Sequence, residues 1–286
     1  MKSIVGIVGS ARRLGNCEIF VKEVSRNINL PHELVLLRLS SFRLEPCRGC
    51  YVCLFAEERC PRKDDLYSVL EPIAQADAII VAAPAYFLGA SANLRRLTDR
   101  GLSFYAYIDK LWGKPAVAAA VAGIPGKEGA TLLGVENFAR MLLADLKVSR
   151  VVYGALPGEV FLDGKNRRVA AEMAAALFTP KRRAEPHRCP LCGGDTFRFL
   201  GGNRVRCMLC SNAGTVSMEE QGPHVHVEKG AHELFLSREE AEAHRQWLIG
   251  MKDRFIADKK KLKQISSDYR RDGRWVEPPA DRGPEK

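Results

Sequence analysis

The apolar positions of residues 1–180 follow two alternating patterns. Short runs of Val, Ile and Ala carry no polar alternation, which indicates strands that are covered on both faces. The stretches between these runs are amphipathic, which indicates helices. The predicted strands are 2–9, 33–39, 77–84, 114–123 and 149–156, and the predicted helices are 16–28, 64–76, 91–101, 130–146 and 166–178. Strict alternation predicts an α/β fold with a doubly wound parallel sheet in the order 2-1-3-4-5.

The pattern changes after this first domain, 1–180. Residues 179–188 contain prolines and charges without periodicity, which indicates a linker. A cysteine-rich module at 187–228 and a charged helix at 237–270 are predicted to follow. The tail 271–286 is expected to be disordered at its end.

Composition narrows the class of protein. With 286 residues, 46% of them hydrophobic, the chain can bury one sizeable core and form a smaller module. The 44 basic and 34 acidic residues are spread over both halves, so no basic arm for nucleic acid is expected. No apolar run reaches 18 residues and the start does not resemble a signal sequence, so a cytoplasmic protein without membrane contact is expected. In that compartment the nine cysteines are predicted to be metal ligands or redox groups.

A glycine-rich loop joins the first predicted strand to the first predicted helix. "GIVGSARRLGN" offers a hydroxyl at Ser10, a guanidinium at Arg12, an amide at Asn16 and free N–H groups at a helix start. These groups suit a phosphate. An ordinary tight turn capped at Asn16 stays open as the alternative.

Two further loops follow the third and fourth predicted strands, at 83–100 and 122–130. In a doubly wound sheet, the loops after strands one, three and four share a crevice at the carboxyl edge. Together they predict a mononucleotide site.

The motifs "GSARRLGN", "PAYFLGASANLRRLTDR" and "AGIPGKEG" resemble those of the NADPH-dependent FMN reductase branch of flavodoxin-like proteins. With the cysteine motif "CRGCYVCLFAEERC" added, the chain most closely resembles the iron-sulfur flavoproteins of archaea and anaerobic bacteria. The resemblance spans residues 1 to about 178. It implies a flavodoxin-like fold and FMN as cofactor.

The resemblance also assigns roles to residues. It implies a phosphate loop of Ser10, Arg12, Gly15 and Asn16, a flavin-ring contact at Pro84, Ala85, Tyr86 and Phe87, and a third wall of Gly123, Gly126 and Gly129. Tyr86 and Phe87 could instead be core aromatic residues. Arg95, Arg96 and Arg100 are expected on a solvated helix face or a subunit contact, and Cys17 is expected to be a small helix residue.

The loop 47–60 concentrates thiols. Its cysteines, at gaps of two, two and six residues, are Cys47, Cys50, Cys53 and Cys60. This spacing favours a [4Fe-4S] cluster, since closely spaced thiolates can bind several corners of the cube. A redox dithiol pair and plain buried cysteines stay open. The loop leaves the carboxyl end of the second strand, which places it on the same sheet edge as the flavin loops.

A second group of four cysteines lies at 189–210. Two CxxC pairs are separated by 14 residues, and their members are Cys189, Cys192, Cys207 and Cys210. This spacing is typical of a zinc ribbon, in which the metal stabilises a module too small to fold by itself. Iron in the same S4 geometry stays open.

These motifs predict an FMN-dependent oxidoreductase that passes electrons between a donor, ferredoxin or NAD(P)H, and an acceptor through FMN and the cluster. NAD(P)H is a further candidate cofactor, no catalytic side chain is nominated, and a dimer or tetramer is expected from the resemblance. Two alternatives stay open: an NAD(P)H-dependent FMN or quinone reductase without a cluster, and a redox-sensing binding protein that uses the ribbon.

Overall fold

A computed structural model describes residues 1–55, 59–179, 185–220 and 222–276. Half of the predicted linker 179–188 and the end of the predicted tail 271–286 lie outside the described residues. The predicted domain boundaries stay predictions.

A parallel sheet forms the first part of the chain. Its strands are β1 (Lys2–Val8), β2 (His32–Arg38), β3 (Ala78–Tyr86), β5 (Pro115–Ala122) and β6 (Asp145–Tyr153), with the short β4 (Gly89–Ala90) antiparallel to the end of β3. The order β2-β1-β3-β5-β6 confirms the predicted topology. The central strands are almost wholly buried, as their unbroken apolar runs predicted.

Eight helices are described. They are α1 (Asn16–Arg26), α2 (Leu66–Gln75), α3 (Ala92–Thr98), α4 (Leu102–Ala106), α5 (Ile108–Leu111), α6 (Thr131–Met141), α7 (Lys165–Leu177) and α8 (Arg238–Asp268). Phe20 and Val24 of α1 pack with Met173 and Leu177 of α7 in one buried cluster. Gly6 lets α1 approach β1 closely, because a Cβ there would lie 2.5 Å from Val21 Cγ1.

Two boundaries differ from the prediction. The helix predicted over 130–146 ends at Met141, and the strand predicted from 149 already begins at Asp145. Leu143 has a φ of 62°, a left-handed conformation that ends the helix and turns the chain into the sheet. Residues 102–113, for which the pattern predicted no element, contain α4 and α5 and bury Phe104 and Leu111.

The cysteine-rich region forms a second, antiparallel sheet in the order β10-β9-β8-β7. Its strands are β7 (Phe197–Gly201), β8 (Arg204–Cys207), β9 (Ala213–Glu219) and β10 (Gly222–Val227). The hairpin β7–β8 lies between the two CxxC pairs. The hairpin β9–β10 was not predicted, because its alternation is short and largely polar.

The chain divides into two compact units, Met1–Gln246 and Trp247–Lys286. Helix α8 begins in the first unit and forms most of the described part of the second. The described residues 252–276 are all exposed. None of the described helices is both long enough and apolar enough to cross a membrane.

Candidate functional site

A cavity of about 210 Å³ opens at the carboxyl edge of the parallel sheet. Its lining comes from the ends of four strands and the start of α1: Ser10, Arg12, Asn16, Cys17, Pro84, Ala85, Tyr86, Val121, Gly123, Gly154 and Ala155. The structure therefore brings together residues of all three predicted flavin loops. A further wall, at 154–155, comes from the loop after β6, which the sequence analysis did not include.

The predicted phosphate loop turns tightly at the start of this cavity. Gly9 is required there, because a Cβ would lie 2.9 Å from Cβ of Ala83. The amide of Arg12 donates to Ser10 Oγ at 3.2 Å. Gly15 does not line the cavity but caps the N-terminus of α1, whose first N–H groups have no partner within the helix. A hydroxyl, a guanidinium and a helix N-terminus at one turn are a donor set that fits a phosphate.

Glu18 holds this turn in place, and sequence reasoning missed it. Its carboxylate accepts from the backbone amide of Leu14 at 2.9 Å and pairs with Lys22 and Arg38. Burial alone would raise the pKa of Glu18, but the hydrogen bonds from Lys22, Leu14 and Arg38 lower it to about 2. The backbone of Leu14 is left-handed, with a φ of 52°, so this contact supports a strained part of the loop.

Asn16 has a different task from the one predicted for its amide. Its Nδ2 donates to the carbonyl of Gly154 at 2.7 Å, and its Oδ1 accepts from the amide of Gly158 at 3.0 Å. The side chain therefore ties the start of α1 to the loop after β6. It still lines the cavity, but both of its polar atoms are engaged by backbone.

The loop after β3 places Pro84, Ala85 and Tyr86 on the cavity, with Tyr86 about half exposed. Phe87 does not line the cavity and is fully exposed, so the alternative of core aromatics does not hold for either ring. Phe87 and Leu88 both have positive φ, at 48° and 65°. Such consecutive strain is typical of ligand-binding loops.

The loop after β5 supports that strained turn. Gly123 lines the cavity, whereas Gly126 and Gly129 do not. Gly129 packs directly against the neighbouring loop, because a Cβ there would lie 2.4 Å from the carbonyl oxygen of Leu88. The amide of Ala130 also donates to that carbonyl, at 2.8 Å. The loop after β5, predicted as the third wall, thus partly supports the loop after β3.

All four cysteines of the loop 47–60 line one cavity of about 570 Å³. Cys53 is buried, Cys47 and Cys60 are half-buried, and Cys50 is exposed. Burial raises the pKa of the Cys53 thiol, a hydrogen bond with Ser103 opposes this, and the charges of the other three thiols raise it further. The charges of the other thiols therefore act on Cys53 within one shared cavity.

These thiols do not form a single-ion site. Over the ranges the structure describes, the group of ligand atoms lying within 4.8 Å of one another is a different one, in the second sheet. Thiolates that bind separate irons of a cluster stand farther apart than thiolates that share one ion. An open cavity lined by spaced thiols fits a polynuclear cluster.

Arg100 corrects the expectation of a solvated helix face. Its side chain is only 1% exposed, and its Nη2 donates to Cys60 Sγ at 3.1 Å. Its Nη1 donates to the carbonyl of Glu45 at 2.7 Å and forms an ion pair with Asp64. Arg95 and Arg96 are exposed, as predicted.

Tyr67 supports the same cysteine from the other side. Its hydroxyl accepts from the backbone amide of Cys60, and the guanidinium of Arg59 stacks 4.2 Å from its ring centroid. The sequence carried no signal for Tyr67 or Asp64, and it placed Arg100, the last residue of "PAYFLGASANLRRLTDR", on a solvated helix face or a subunit contact. They reach the loop only through packing of α2 and of the turn after α3.

Helix α3 connects the two cavities. At its start, Ser91 Oγ donates to the carbonyl of Gly9 at 2.8 Å, beside the phosphate loop. Two residues beyond its end, Arg100 contacts Cys60. Since a helix rises about 1.5 Å per residue, this segment spans roughly 10–15 Å.

The second cysteine group is compact and closed. Cys189, Cys192, Cys207 and Cys210 are all buried, and their ligand atoms lie within 4.8 Å of one another. The Sγ–Sγ distances are 3.8 Å for Cys189 and Cys210 and 3.5 Å for Cys192 and Cys207. Tetrahedral sulfur atoms at about 2.3 Å from one ion would be about 3.8 Å apart, so the geometry fits one metal ion.

Backbone contacts shape each CxxC turn. The amide of Cys189 donates to the carbonyl of Gly194 at 2.8 Å, and the amide of Gly194 points to Cys192 Sγ at 3.4 Å. The close approach of the thiols also shifts their pKa values in opposite directions. Hydrogen bonding with Cys192 holds the pKa of Cys189 low, and the same contact raises the pKa of Cys192.

Cys17, outside both groups, is buried in α1. It lines the cavity at the carboxyl edge of the parallel sheet, which we call the flavin-side cavity. Burial raises its pKa to about 12, although a backbone hydrogen bond and the charge of Arg12 oppose this. A thiol this hard to ionise is a poor nucleophile, which agrees with its predicted role as a small helix residue.

The chain is similar in sequence to known flavoproteins. Residues 2–143 match the family profile of NADPH-dependent FMN reductase. An iron-sulfur flavoprotein of Archaeoglobus fulgidus is 30% identical over 185 residues, covering 64% of this chain and 83% of that protein. An iron-sulfur flavoprotein of Methanocaldococcus jannaschii is 32% identical over 182 residues, covering 61% of this chain and 92% of that protein.

A solved structure described as a flavone reductase has a similar fold over nearly the whole chain. The TM-score is 0.71, with 96% of this chain and 99% of that chain covered, at 18% sequence identity. This likeness shows the fold alone. It extends well beyond the parallel sheet, since the coverage includes most of the chain.

Proposed function

We propose, since this chain belongs to the iron-sulfur flavoprotein family, that it is an FMN-dependent oxidoreductase that transfers electrons through FMN and a [4Fe-4S] cluster. The observation that carries the proposal is the pair of cavities on one sheet edge. One is lined by a phosphate-type loop and the other by four spaced thiols, and α3 joins them.

When bound, FMN would exchange electrons singly or in pairs, and the cluster singly, so together they convert between one-electron and two-electron chemistry. The side chains contribute binding and positioning. Ser10, Arg12 and the start of α1 would hold the phosphate, and Pro84 to Tyr86 would face the ring. Cys47, Cys50, Cys53 and Cys60 would hold the cluster.

The thiol-lined cavity suits a protein as electron donor. Arg43, Arg48, Arg62 and Lys63 line it, and Cys50 is exposed at its mouth. A basic rim favours approach of an acidic partner. We therefore favour a ferredoxin-like donor at this cavity, with NAD(P)H as the alternative donor at the flavin.

The site in the second sheet is proposed to hold zinc. Its four thiols are buried, leaving no open coordination position, which is typical of a structural site. Iron in the same geometry is the alternative, and metal analysis distinguishes the two.

We also propose an oligomeric state and a cellular compartment. Leu14, Phe87, Ile124 and Leu156, all near the flavin-side cavity, are between 63% and 106% exposed. Apolar side chains of this size favour burial against a second copy, so we propose a homodimer or homotetramer. Since none of the nine cysteines forms a disulfide, a reducing cytoplasm is the proposed compartment.

Anaerobic purification followed by iron, sulfide, zinc and flavin analysis tests the proposal. We expect about four irons and four sulfides per chain, together with FMN and one zinc. The variant Cys60→Ser should lose iron and sulfide while keeping zinc and FMN, and Cys17→Ser is the control that should keep both metals. Flavin without iron or sulfide in the wild-type protein would instead identify a cluster-free reductase.

A further inference from the structure

We propose that Arg100 sets the reduction potential of the cluster bound by the cysteine loop, and that Asp64 opposes it. This inference rests on the proposed function, because it concerns the cluster that Cys60 would help to bind. Asp64 belongs to no motif in the sequence, and the motif that ends at Arg100 gave no role at the cysteine loop to that residue.

The geometry places a permanent positive charge against a ligand sulfur. Arg100 is 1% exposed, and its Nη2 donates to Cys60 Sγ at 3.1 Å. A guanidinium stays protonated at every pH at which the protein is folded. The charge at this sulfur is therefore constant and does not depend on a titration.

The ion pair with Asp64 does not by itself account for the position of Arg100. Burying a guanidinium costs free energy. The two groups that offset this cost, the Asp64 carboxylate and the Glu45 carbonyl, both bind Nη1 and leave Nη2 to another partner. The second nitrogen, Nη2, is directed at Cys60 Sγ. Asp64 is equally buried, at 1% exposure, and is held by the amide of Glu45 at 2.9 Å.

Reduction adds one electron to a cluster and makes it more negative, and no proton needs to move. A hydrogen bond to a ligand sulfur and a nearby positive charge both stabilise the reduced form, which raises the potential. The buried carboxylate of Asp64 acts in the opposite direction. Removing the two charges separately should therefore shift the potential in opposite directions.

The test is a redox titration of the full chain, purified anaerobically with its cluster and followed by visible absorption and electron paramagnetic resonance. In Arg100→Gln the equilibrium constant for cluster reduction should fall at least tenfold, a shift of about 59 mV to more negative potential. Arg100→Lys should show only part of this shift, because lysine keeps the positive charge but lacks the planar set of N–H donors of a guanidinium. Asp64→Asn should shift the potential to less negative values.

Arg96→Gln is the matched control. Arg96 lies on α3, carries the same charge and is exposed, so its removal should leave the potential unchanged. If Arg100→Gln does not retain iron and sulfide, the reduction potentials of Arg100→Lys and Asp64→Asn are compared instead. The proposal requires that these two potentials shift in opposite directions from that of the wild-type protein.

The outcomes separate the two proposals. Equal shifts, or none, in Arg100 and Asp64 variants that retain the cluster would overturn the tuning role and leave the proposed function intact. Wild-type protein without iron and sulfide would overturn both. Opposite shifts support the inference, since a purely structural ion pair would not produce them.

Discussion

The molecule carries two groups of four cysteines, and they are built in opposite ways. In the second sheet all four thiols are buried and close together, and backbone contacts shape each CxxC turn. In the loop 47–60 the thiols range from buried to exposed and line an open cavity. The compact group fits one ion that stabilises a small module, whereas the open group fits a larger redox centre that a partner can approach.

The difference also appears in what surrounds each group. The compact group has local backbone hydrogen bonds at both CxxC turns, and Arg140 Nη2 of α6 donates to the carbonyl of Cys192 at 2.9 Å. The open group depends on residues from other elements, namely Arg100, Asp64 and Tyr67. At the open group, the distant residues place two buried charges, those of Arg100 and Asp64, beside the thiols.

The largest expected effect is loss of the compact metal site. Cys207→Ser should abolish metal binding there and unfold residues 185–220 and 222–227, because metal binding in small modules supplies about 10–16 kcal/mol. Zinc analysis and hydrogen exchange of these segments measure the effect. Cys17→Ser should leave both unchanged. A variant that stays protected from exchange without metal would show that the hairpins fold by themselves. The compact group would then not stabilise its module, and this difference from the open group would be lost.

A smaller effect on folding is expected at the open group. Cys53→Ser should remove iron and sulfide but leave zinc, FMN and the secondary structure in place, because the parallel sheet has its own core. Metal and flavin contents together with the thermal unfolding midpoint measure this. Concurrent loss of zinc would mean that the two sites are not independent.

The smallest effects are the pH dependences of two buried carboxyl groups, one beside each site. Burial would raise the pKa of Asp64, but the hydrogen bond and charge of Arg100 lower it. Its contribution to stability is therefore present above its unfolded pKa and is lost as the pH falls below it. Asp64→Asn should accordingly destabilise the protein at neutral pH and less so in acid.

The pKa of Glu136, which lines a cavity with Cys192, is shifted in the opposite direction from that of Asp64. Burial raises its pKa, although Ser149 donates a hydrogen bond to it. Stability is then greatest below the unfolded pKa of this carboxyl and falls as the pH rises through its folded pKa. Glu136→Gln should stabilise the protein at pH 8 and have no effect near pH 4. Denaturant unfolding at both pH values compares the two variants, and effects of the same sign would contradict the assignment.

Much of the fold and part of the site could be predicted from local patterns. The apolar runs at 2–9 and 77–84 identified β1 and β3, and the CxxC spacing identified a metal site before any geometry was known. Flavin-side residues were partly predicted, since Ser10, Arg12 and Tyr86 line the cavity whereas Phe87, Gly126 and Gly129 do not. A motif shows which loop is involved but not where each side chain lies.

The sequence by itself determined the strand order and the grouping of the thiols. Strands buried on both faces must be apolar throughout, and paired CxxC spacing is typical of thiols that share one metal ion. Only the tertiary structure decided that Arg100 reaches Cys60, 40 residues away, and that Asn16 reaches Gly154, 138 residues away. Such contacts have no local signal, because they depend on how separate elements pack.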